Sequence, residues 1–332
     1  MRSVTTTIGL ALLFGGTVSF GATVASQAQE AELRVVTAQP KQLIFAARFL
    51  EWVEKVNKEG KGIVQIKYAG GPEAMPPAQQ ATAVRNGVID MQFGPPAYYL
   101  GQVPEGDAFF GSNVKPAEAR ANGGLEMVDK VWRTKMNAHV LGWFSGSKFG
   151  LYTRDEPKLD AKTGVRLDGM KMRSNAAYKD LFDTLGAINV SIGVPDLYTA
   201  LERNVVQGFG FPFVGIMDFG WEKFARYRVE PYFWQDDLIV IVNADKWNKL
   251  PQKARDFLTK AATEWEISGY SFWQDLNKKE NAELTKRGVK LVKLEGDRAK
   301  VFVELAHKAP WDRIAKASPK IAPELRAKFY KP

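Results

Sequence analysis

The spacing of apolar and polar positions changes regularly along the chain after residue 30. Residues 33–38 form a short apolar strand, and apolar residues then recur at helical spacing from 45 to 56. Strand-like alternation returns at 64–68 and 89–93, and a helix begins at Pro76-Pro77 between these two strands. Because three strands alternate with two helices, the pattern predicts a βαβαβ unit with a mostly parallel sheet.

The middle of the chain repeats this pattern and predicts a second α/β lobe. Proline is favoured in the first turn of a helix, where its missing N–H has no intrahelical partner. The predicted elements are a helix at 117–136, strands at 138–144 and 149–154, a strand ending at 170–173, a helix at 177–185, a helix from Pro195 to about Arg203, and a strand at 205–209.

A very apolar strand at 238–242 precedes the longest helical pattern, which runs from Asn243 to about Glu280 and carries heavy aromatic residues. A helix of roughly 30 residues spans about 45 Å, which exceeds one small domain, so we expect it to brace two lobes. A strand at 288–293 and two basic helices follow. The whole pattern predicts an α/β fold of two lobes with mixed, mostly parallel sheets.

The predicted domain boundaries follow from this order of elements. Lobe 1 is assigned to 29–148, completed by about 235–265, and lobe 2 to 149–234, completed by about 266–332.

Residues 1–28 have the layout of a secretory signal peptide. Arg2 is basic, residues 8–24 are apolar or small without a charge, and Ser26-Gln27-Ala28 offers a small-x-small cleavage site. The apolar core is too short and too rich in glycine for a convincing membrane span, although an uncleaved anchor remains an alternative. Cleavage near Ala28 leaves 304 residues and predicts a periplasmic protein.

Composition argues against several classes of protein. The formal charge of +9 is spread among interleaved acidic and basic residues, which does not favour nucleic-acid binding. There is no cysteine, and His139 and His307 are far apart, so neither a thiolate nor a histidine metal cluster is expected. His307 is expected to be solvated, and His139 to be structural or at the surface. We expect no cofactor and no enzymatic activity.

A run of short motifs carries a family resemblance. Residues 167–173 read Leu-Asp-Gly-Met-Lys-Met-Arg, Leu185-Gly186-Ala187 closes the next helix, and 196–208 read DLYTALERNVVQG. Residues 84–91 (VRNGVIDM) and 243–251 (NADKWNKLP) extend the pattern. In order and spacing this resembles the substrate-binding proteins of tripartite ATP-independent periplasmic (TRAP) transporters.

The resemblance implies a two-lobed periplasmic binding protein fold that closes on an organic acid and delivers it to the membrane subunits of a TRAP transporter. It also implies that the arginine at the strand end, Arg173, contacts the ligand carboxylate. A planar guanidinium offers parallel N–H donors that match the two oxygens of a carboxylate. We expect the protein to be a monomer with a small organic-acid ligand.

Two departures from the family pattern bear on the ligand. The nearest candidate for a second cation is Lys148, and Phe211 stands where many members have an asparagine that contacts the ligand. Other aromatic residues are expected near the cleft, so an apolar or aromatic monocarboxylate is favoured over a dicarboxylate or a sugar acid. The aromatic candidates are Phe93, Tyr98, Trp143, Phe233 and Trp234.

Asp236 and Asp237 leave other functions open. Asp236 is a candidate ligand-binding residue, and with Asp237 or Gln235 it could hold a cation that bridges the ligand. Neighbouring residues on a strand point to opposite faces, which weakens the pair as a site by itself. A sensing module that presents its ligand to a receptor, or a cation-dependent periplasmic enzyme, remain the alternatives.

Overall fold

The computed structural model of the protein describes residue 1 and residues 30–331, so the predicted signal peptide lies outside the described residues. The strands are β1 Ala31–Thr37, β2 Val64–Gly70, β3 Met91–Gly94, β4 Ala138–Trp143, β5 Phe149–Thr153, β6 Lys158–Asp160, β7 Gly164–Arg166, β8 Lys171–Ser174, β9 Ile188–Ser191, β10 Gly208–Pro212, β11 Tyr227–Glu230, β12 Ile239–Asn243 and β13 Lys290–Lys293. The α-helices are α1 Ile44–Glu59, α2 Pro77–Arg85, α3 Asp107–Phe110, α4 Pro116–Ala121, α5 Gly124–Met136, α6 Lys179–Thr184, α7 Leu197–Glu202, α8 Ala244–Lys249, α9 Gln252–Lys286, α10 Gly296–Ala317 and α11 Ala322–Phe329.

Two mixed sheets form the centres of two lobes. The first has the order β2-β1-β3-β12-β4, in which β1 is parallel to both neighbours and β12 is antiparallel to β3 and β4. The second has the order β13-β11-β5-β10-β8-β9, in which β8 is parallel to β9 and β10. The predicted βαβαβ unit is therefore the parallel part of the first sheet.

The chain crosses between the lobes in two neighbouring segments that connect β4 to β5 and β11 to β12. These segments run antiparallel, with a bridge between Lys148 and Gln235 and a backbone hydrogen bond from Asp236 N to Ser147 O at 3.1 Å. The crossing places residues 144–148 and 234–238 at the junction of the two sheets.

Helix α9 braces the two lobes, as predicted. It has 35 residues, which corresponds to about 52 Å. Its first half binds lobe 1, where Glu266 accepts a hydrogen bond from Trp143 N at 2.8 Å. Its second half binds lobe 2, where Asn281 accepts one from the Tyr232 hydroxyl at 3.0 Å. Between them, Gln274 donates to the Gly146 carbonyl in the crossing segment at 2.8 Å.

Several predicted boundaries differ from the structure for local reasons. The predicted helix at 117–136 is divided between α4 and α5, because Gly123 has a positive φ of 82°. The helix predicted from Asn243 is divided at Pro251, whose ring does not continue α8, and α9 ends at Lys286 rather than Glu280. The strand predicted at 205–209 begins only at Gly208, since Asn204 adopts a left-handed turn.

The C-terminal helices contact both lobes. Phe329 packs edge-on against Phe109 of lobe 1 with ring centroids 5.5 Å apart. Phe302 packs against Phe233, which follows β11 of the second sheet, at 5.3 Å. The predicted division of the C-terminal residues between the lobes stays a prediction. Within residues 30–331, none of the helices combines the length and apolar composition needed to cross a membrane.

His307 is buried, so the prediction of a solvated side chain is wrong. It lies on α10 with 6% exposure, and its Nδ1 is 3.1 Å from the Gly111 carbonyl. Burial lowers the pKa of His307 to about 4, so the ring is neutral at physiological pH and donates to that carbonyl. The basic composition of α10 misled the prediction, because His307 lies where α10 packs against α3, and there Arg313 of the same helix is also paired with the buried Asp107.

Candidate functional site

A cavity lies between the two sheets, where strands from both lobes end. Most of its walls are formed by residues at or after the carboxyl ends of β1, β3, β8, β9 and β10, and by the crossing segment before β12. Phe110 at the end of α3 and Phe149 at the start of β5 complete them. Crevices outside the carboxyl ends of parallel strands are the usual ligand sites of α/β folds, because loops rather than helices meet there. The lining residues are Gln39, Phe45, Pro95, Ala97, Tyr98, Phe110, Phe149, Arg173, Asn175, Tyr178, Val194, Phe211, Pro212, Asp236, Asp237 and Leu238.

Arg173 reaches this cavity from the end of β8. The residue is only 3% exposed, and its Nε donates a hydrogen bond to the Ile192 carbonyl at 2.9 Å. Its guanidinium carbon lies 5.9 Å from the ring centre of Tyr178. Within residues 30–331, no carboxylate lies within salt-bridge distance of Arg173. The Nε bond fixes the orientation of the guanidinium group and leaves its two terminal nitrogens for a ligand.

Asp236 joins the cavity to the crossing between the lobes. Its Oδ1 accepts hydrogen bonds from the Ser145 hydroxyl and from Gly146 N and Ser147 N, the latter two at 3.1 Å. Its Oδ2 is buried without a hydrogen-bond partner. Burial raises the pKa of Asp236 to about 7, although these three donors oppose the rise.

Asp237 and Tyr98 lie on the neighbouring part of the wall. Asp237 is 3% exposed, and its Oδ2 accepts a hydrogen bond from Ala97 N at 3.1 Å. Burial raises the pKa of Asp237 well above its usual range, and the charge of Asp236 adds to this rise. Burial also raises the pKa of Tyr98, whereas Arg173 opposes that rise. Both aspartates line the cavity, and both precede β12 in irregular backbone, where the alternation of strand side chains does not apply.

Aromatic side chains form the rest of the cavity wall. Phe211, 7% exposed, packs edge-on against Trp221 and Phe45, with ring centroids 4.8 and 6.4 Å apart. On the other side, Phe110 packs against Phe149 at 4.8 Å. The site therefore combines one buried cation and two carboxyl groups with an apolar wall.

The cavity is small. About 50 Å³ is open to the centres of water molecules. A compact region of that size, enlarged by the radius of a water molecule, encloses on the order of 200 Å³, the volume of roughly seven waters. This volume suits an organic molecule with few heavy atoms.

A wider groove on the surface of lobe 1 has different chemistry. It has a volume of about 860 Å³ and lies between α5 and the turn from α10 to α11. Two of its lysines, Lys130 and Lys135, are paired with Glu126 and Glu105 at 2.8 and 2.6 Å. The groove is open to solvent, and none of its described cations is buried as Arg173 is.

Five of the residues predicted from the sequence do not line the cavity. Phe93 stacks on Phe49 in the lobe 1 core at 4.4 Å, and Lys148 is exposed. Trp143, Phe233 and Trp234 are buried behind the wall. Each indole nitrogen donates to a backbone carbonyl, that of Asp236 for Trp143 at 3.0 Å and that of Ala306 for Trp234 at 2.7 Å. The cavity does bring together the predicted residues Arg173, Tyr98, Phe211 and Asp236.

Sequence reasoning missed several lining residues. Tyr178 lies five positions after Arg173, at the start of α6, and that spacing after a strand end was the available signal. Phe45 follows the carboxyl end of β1, but its helical spacing with other apolar residues marked it as core. The other missed residues with side chains toward the cavity include Gln39, Phe110, Phe149 and Asn175.

A metal site receives little support from the acidic residues. In the part of the chain that the structure describes, no three His, Cys, Asp or Glu side chains come together as metal ligands. Gln235, the third cation candidate, donates to the Val114 carbonyl at 3.3 Å and does not line the cavity.

Comparison with known families identifies the class of protein. Residues 35–317 match the family of DctP proteins, described as bacterial extracellular solute-binding proteins, family 7. Since the match covers most of the chain, the protein belongs to this family. The prediction of a TRAP substrate-binding protein with a two-lobed fold, rather than an enzyme, is therefore confirmed.

Individual relatives agree with this assignment. A monocarboxylate 2-oxoacid-binding periplasmic protein of Nostoc sp. is 27% identical over 273 residues, covering 78% of this chain and 72% of the relative. A TRAP solute-binding protein of Bordetella bronchiseptica, solved with copurified calcium and picolinate, has a TM-score of 0.76, 23% identity and coverage of 90% and 92%. One from Ralstonia eutropha, solved with (S)-2-acetolactate, has a TM-score of 0.75, 17% identity and coverage of 90% and 98%.

Proposed function

We propose that the protein binds a small monocarboxylate in the cavity between its lobes, with Arg173 as the anchor of the carboxylate. The observation that carries this proposal is a buried guanidinium group without a carboxylate partner among the described residues. A buried charge without a partner is unfavourable, because it has lost its hydration and gained no counter-charge. A ligand carboxylate supplies that counter-charge and two acceptors for the terminal N–H groups.

The other walls of the cavity favour one negative charge and a short apolar part. A second ligand carboxylate would meet Asp236 and Asp237 rather than a second cation, since Lys148 is exposed outside the cavity. Phe211 and Phe45 offer apolar surface. The cavity volume limits the ligand to few heavy atoms.

The relatives support the same class of ligand. The name of the Nostoc protein states that it binds monocarboxylate 2-oxoacids, and the two solved structures hold acetolactate and picolinate. We therefore favour a 2-oxo or 2-hydroxy monocarboxylate. A cation bridging the ligand through Asp236 or Asp237 is the second candidate arrangement, because calcium copurified with the Bordetella protein.

We further propose that the protein acts as a monomer in the periplasm, after cleavage near Ala28, and delivers its ligand to TRAP membrane subunits. Closure of the two lobes around the ligand would present one surface to those subunits. Loss of ligand uptake on deletion of the gene is expected. Normal uptake with altered gene expression would instead favour the sensing alternative.

The direct test is a thermal-shift screen of the purified protein against organic acids, with calcium or a chelator present in parallel. A ligand at about 100 times its Kd adds about 2.7 kcal/mol to the free energy of unfolding, which raises Tm by a few degrees. We expect such shifts for short monocarboxylates in both conditions. No shift with any carboxylate, or shifts only with dicarboxylates or sugar acids, would contradict the proposal.

A further inference from the structure

A second, smaller cavity lies beside the ligand cavity, between helices α1 and α9. About 10 Å³ of it is open to the centres of water molecules, which is room for about one water. Its lining residues come from α1, β3, the crossing segment and α9. Most of the lining side chains are aromatic, namely Phe45, Phe49, Phe93, Phe144, Trp265 and Trp273.

The two charged residues of this second cavity are engaged by other protein groups. Glu266 accepts a hydrogen bond from Arg120 Nε at 2.6 Å. A terminal nitrogen of Arg48 donates to Glu51, and the guanidinium carbon of Arg48 lies 4.0 Å from the centre of the Trp265 ring. Because these charges already have partners, the second cavity suits an apolar group better than a charged one.

Gly269 leaves one end of the second cavity free of a side chain. The residue is buried in the interior of α9, where glycine is unfavourable because it loses more backbone freedom on folding than other residues. A Cβ atom at this position would meet no neighbouring side chain and no other element within 4 Å. Close packing therefore does not require glycine here, and a side chain at this position would extend into the second cavity.

The side chain of Phe45 separates the two cavities. Among the described residues, Phe45 is the only one that lines both. Its ring packs edge-on against Phe211 of the ligand cavity, with centroids 6.4 Å apart, and stacks on Trp273 of the second cavity at 5.3 Å. Because Phe45 is 2% exposed and packed on both sides, its ring closes the passage between the cavities.

We propose that Phe45 is a specificity-determining residue that limits the chain length of the ligand, by closing the ligand cavity off from the second cavity. The inference rests on the proposed function, since it takes Arg173 to hold the ligand carboxylate and the apolar tail to lie against Phe211. A tail that extends past Phe211 meets the Phe45 ring, which is packed against Trp273 and cannot yield without losing that contact. Short acids are therefore accepted and longer acids are excluded by a steric contact.

The test is calorimetry with 2-oxo acids of increasing length: pyruvate, 2-oxobutanoate, 2-oxohexanoate and 2-oxooctanoate. We expect the wild type to bind 2-oxooctanoate about 5- to 150-fold more weakly than its best acid, because forcing extra methylene groups into a packed site is unfavourable. In Phe45→Ala the two cavities are joined. Each added methylene group should then tighten binding by up to about fourfold, so that the preferred acid becomes longer.

Two further variants show whether the longer tail enters the second cavity. Gly269→Leu, added to Phe45→Ala, fills that cavity with a side chain and should remove most of the gain for 2-oxooctanoate. Phe49→Leu is the matched control, because Phe49 lines the second cavity but not the ligand cavity. This variant enlarges the second cavity behind an intact Phe45 ring, so it should keep the wild-type order of affinities.

Three results would overturn the inference: a wild-type affinity that keeps rising up to 2-oxooctanoate, a Phe45→Ala variant with the length preference of the wild type, or a Phe49→Leu variant that binds long acids as Phe45→Ala does. A gain that survives Gly269→Leu would overturn it too, because the tail would then lie elsewhere. If Phe45→Ala fails to fold, the milder Phe45→Leu and the wild-type series still decide. In each case short acids would still bind, whereas no binding of any carboxylate by the wild type would contradict the proposed function itself.

Discussion

Replacing Arg173 by lysine keeps the charge but removes the planar pair of donors. In the structure Arg173 Nε is already bonded to the Ile192 carbonyl, so the two terminal nitrogens are the groups left for a carboxylate. Lysine has a single nitrogen and cannot serve both the carbonyl and two carboxylate oxygens in this geometry. Loss of one charge-assisted hydrogen bond costs about 1.5–3 kcal/mol, which corresponds to a roughly 10- to 150-fold increase in Kd.

Isothermal titration calorimetry with the best acid from the screen measures this change. Arg228→Lys is the matched control, because Arg228 is 5% exposed in the same sheet but bonds Tyr232 and Thr285 outside the cavity. We expect both variants to lose stability and only Arg173→Lys to lose affinity. An unchanged Kd in Arg173→Lys, or an equal loss of affinity in Arg228→Lys, would refute the role of Arg173.

Three other substitutions test the apolar wall of the cavity, a residue buried behind that wall, and helix α9. Phe211→Asn removes the packing against Trp221 and should destabilise the protein by about 3 kcal/mol in thermal unfolding. In calorimetry it should also weaken binding of acids with apolar tails more than binding of hydroxylated ones, and equal weakening would contradict the apolar wall. Trp234→Phe removes the indole N–H that donates to the buried Ala306 carbonyl, and it should lower the free energy of unfolding by about 1–3 kcal/mol. The Kd for the ligand should stay within about threefold of the wild type. A larger change in Kd would place Trp234 in the site. Burial raises the pKa of Glu280 to about 7, and the charge of Asp218 adds to this rise. The protonated side chain therefore contributes fully to the free energy of unfolding below the unfolded pKa of Glu280, and this contribution is lost as the pH rises through about 7. Glu280→Gln should remove up to about 3 kcal/mol of that pH dependence in denaturant unfolding, and parallel pH curves for variant and wild type would contradict the shift.

The sequence predicts the fold well where periodicity is strong. The βαβαβ unit, the long brace and the strand ending at Arg173 follow from apolar spacing, which is a local property of the chain. Boundaries are less predictable where single residues interrupt a pattern, as Gly123 and Pro251 do.

The site is less predictable because the cavity depends on how two sheets meet. Arg173 and Phe211 are found from strand ends, but nothing local distinguishes Phe45, which lines the cavity, from Phe93, which is core. Phe45 lies on α1 and Phe93 in β3, and each occupies an apolar position in the periodic pattern of its element. Asp237 was predicted only as a possible cation ligand for a related reason. It lies in the irregular crossing segment before β12, where the rule for alternating strand residues does not apply.

A crystal structure of the protein with its tightest-binding acid would show whether Arg173 anchors the ligand. We expect a single ligand in the cavity between the sheets, with both carboxylate oxygens within hydrogen-bond distance of the terminal nitrogens of Arg173, and with its apolar part against Phe211. A ligand in the groove beside α5, or a carboxylate held by another cation while Arg173 stays unpaired, would contradict it.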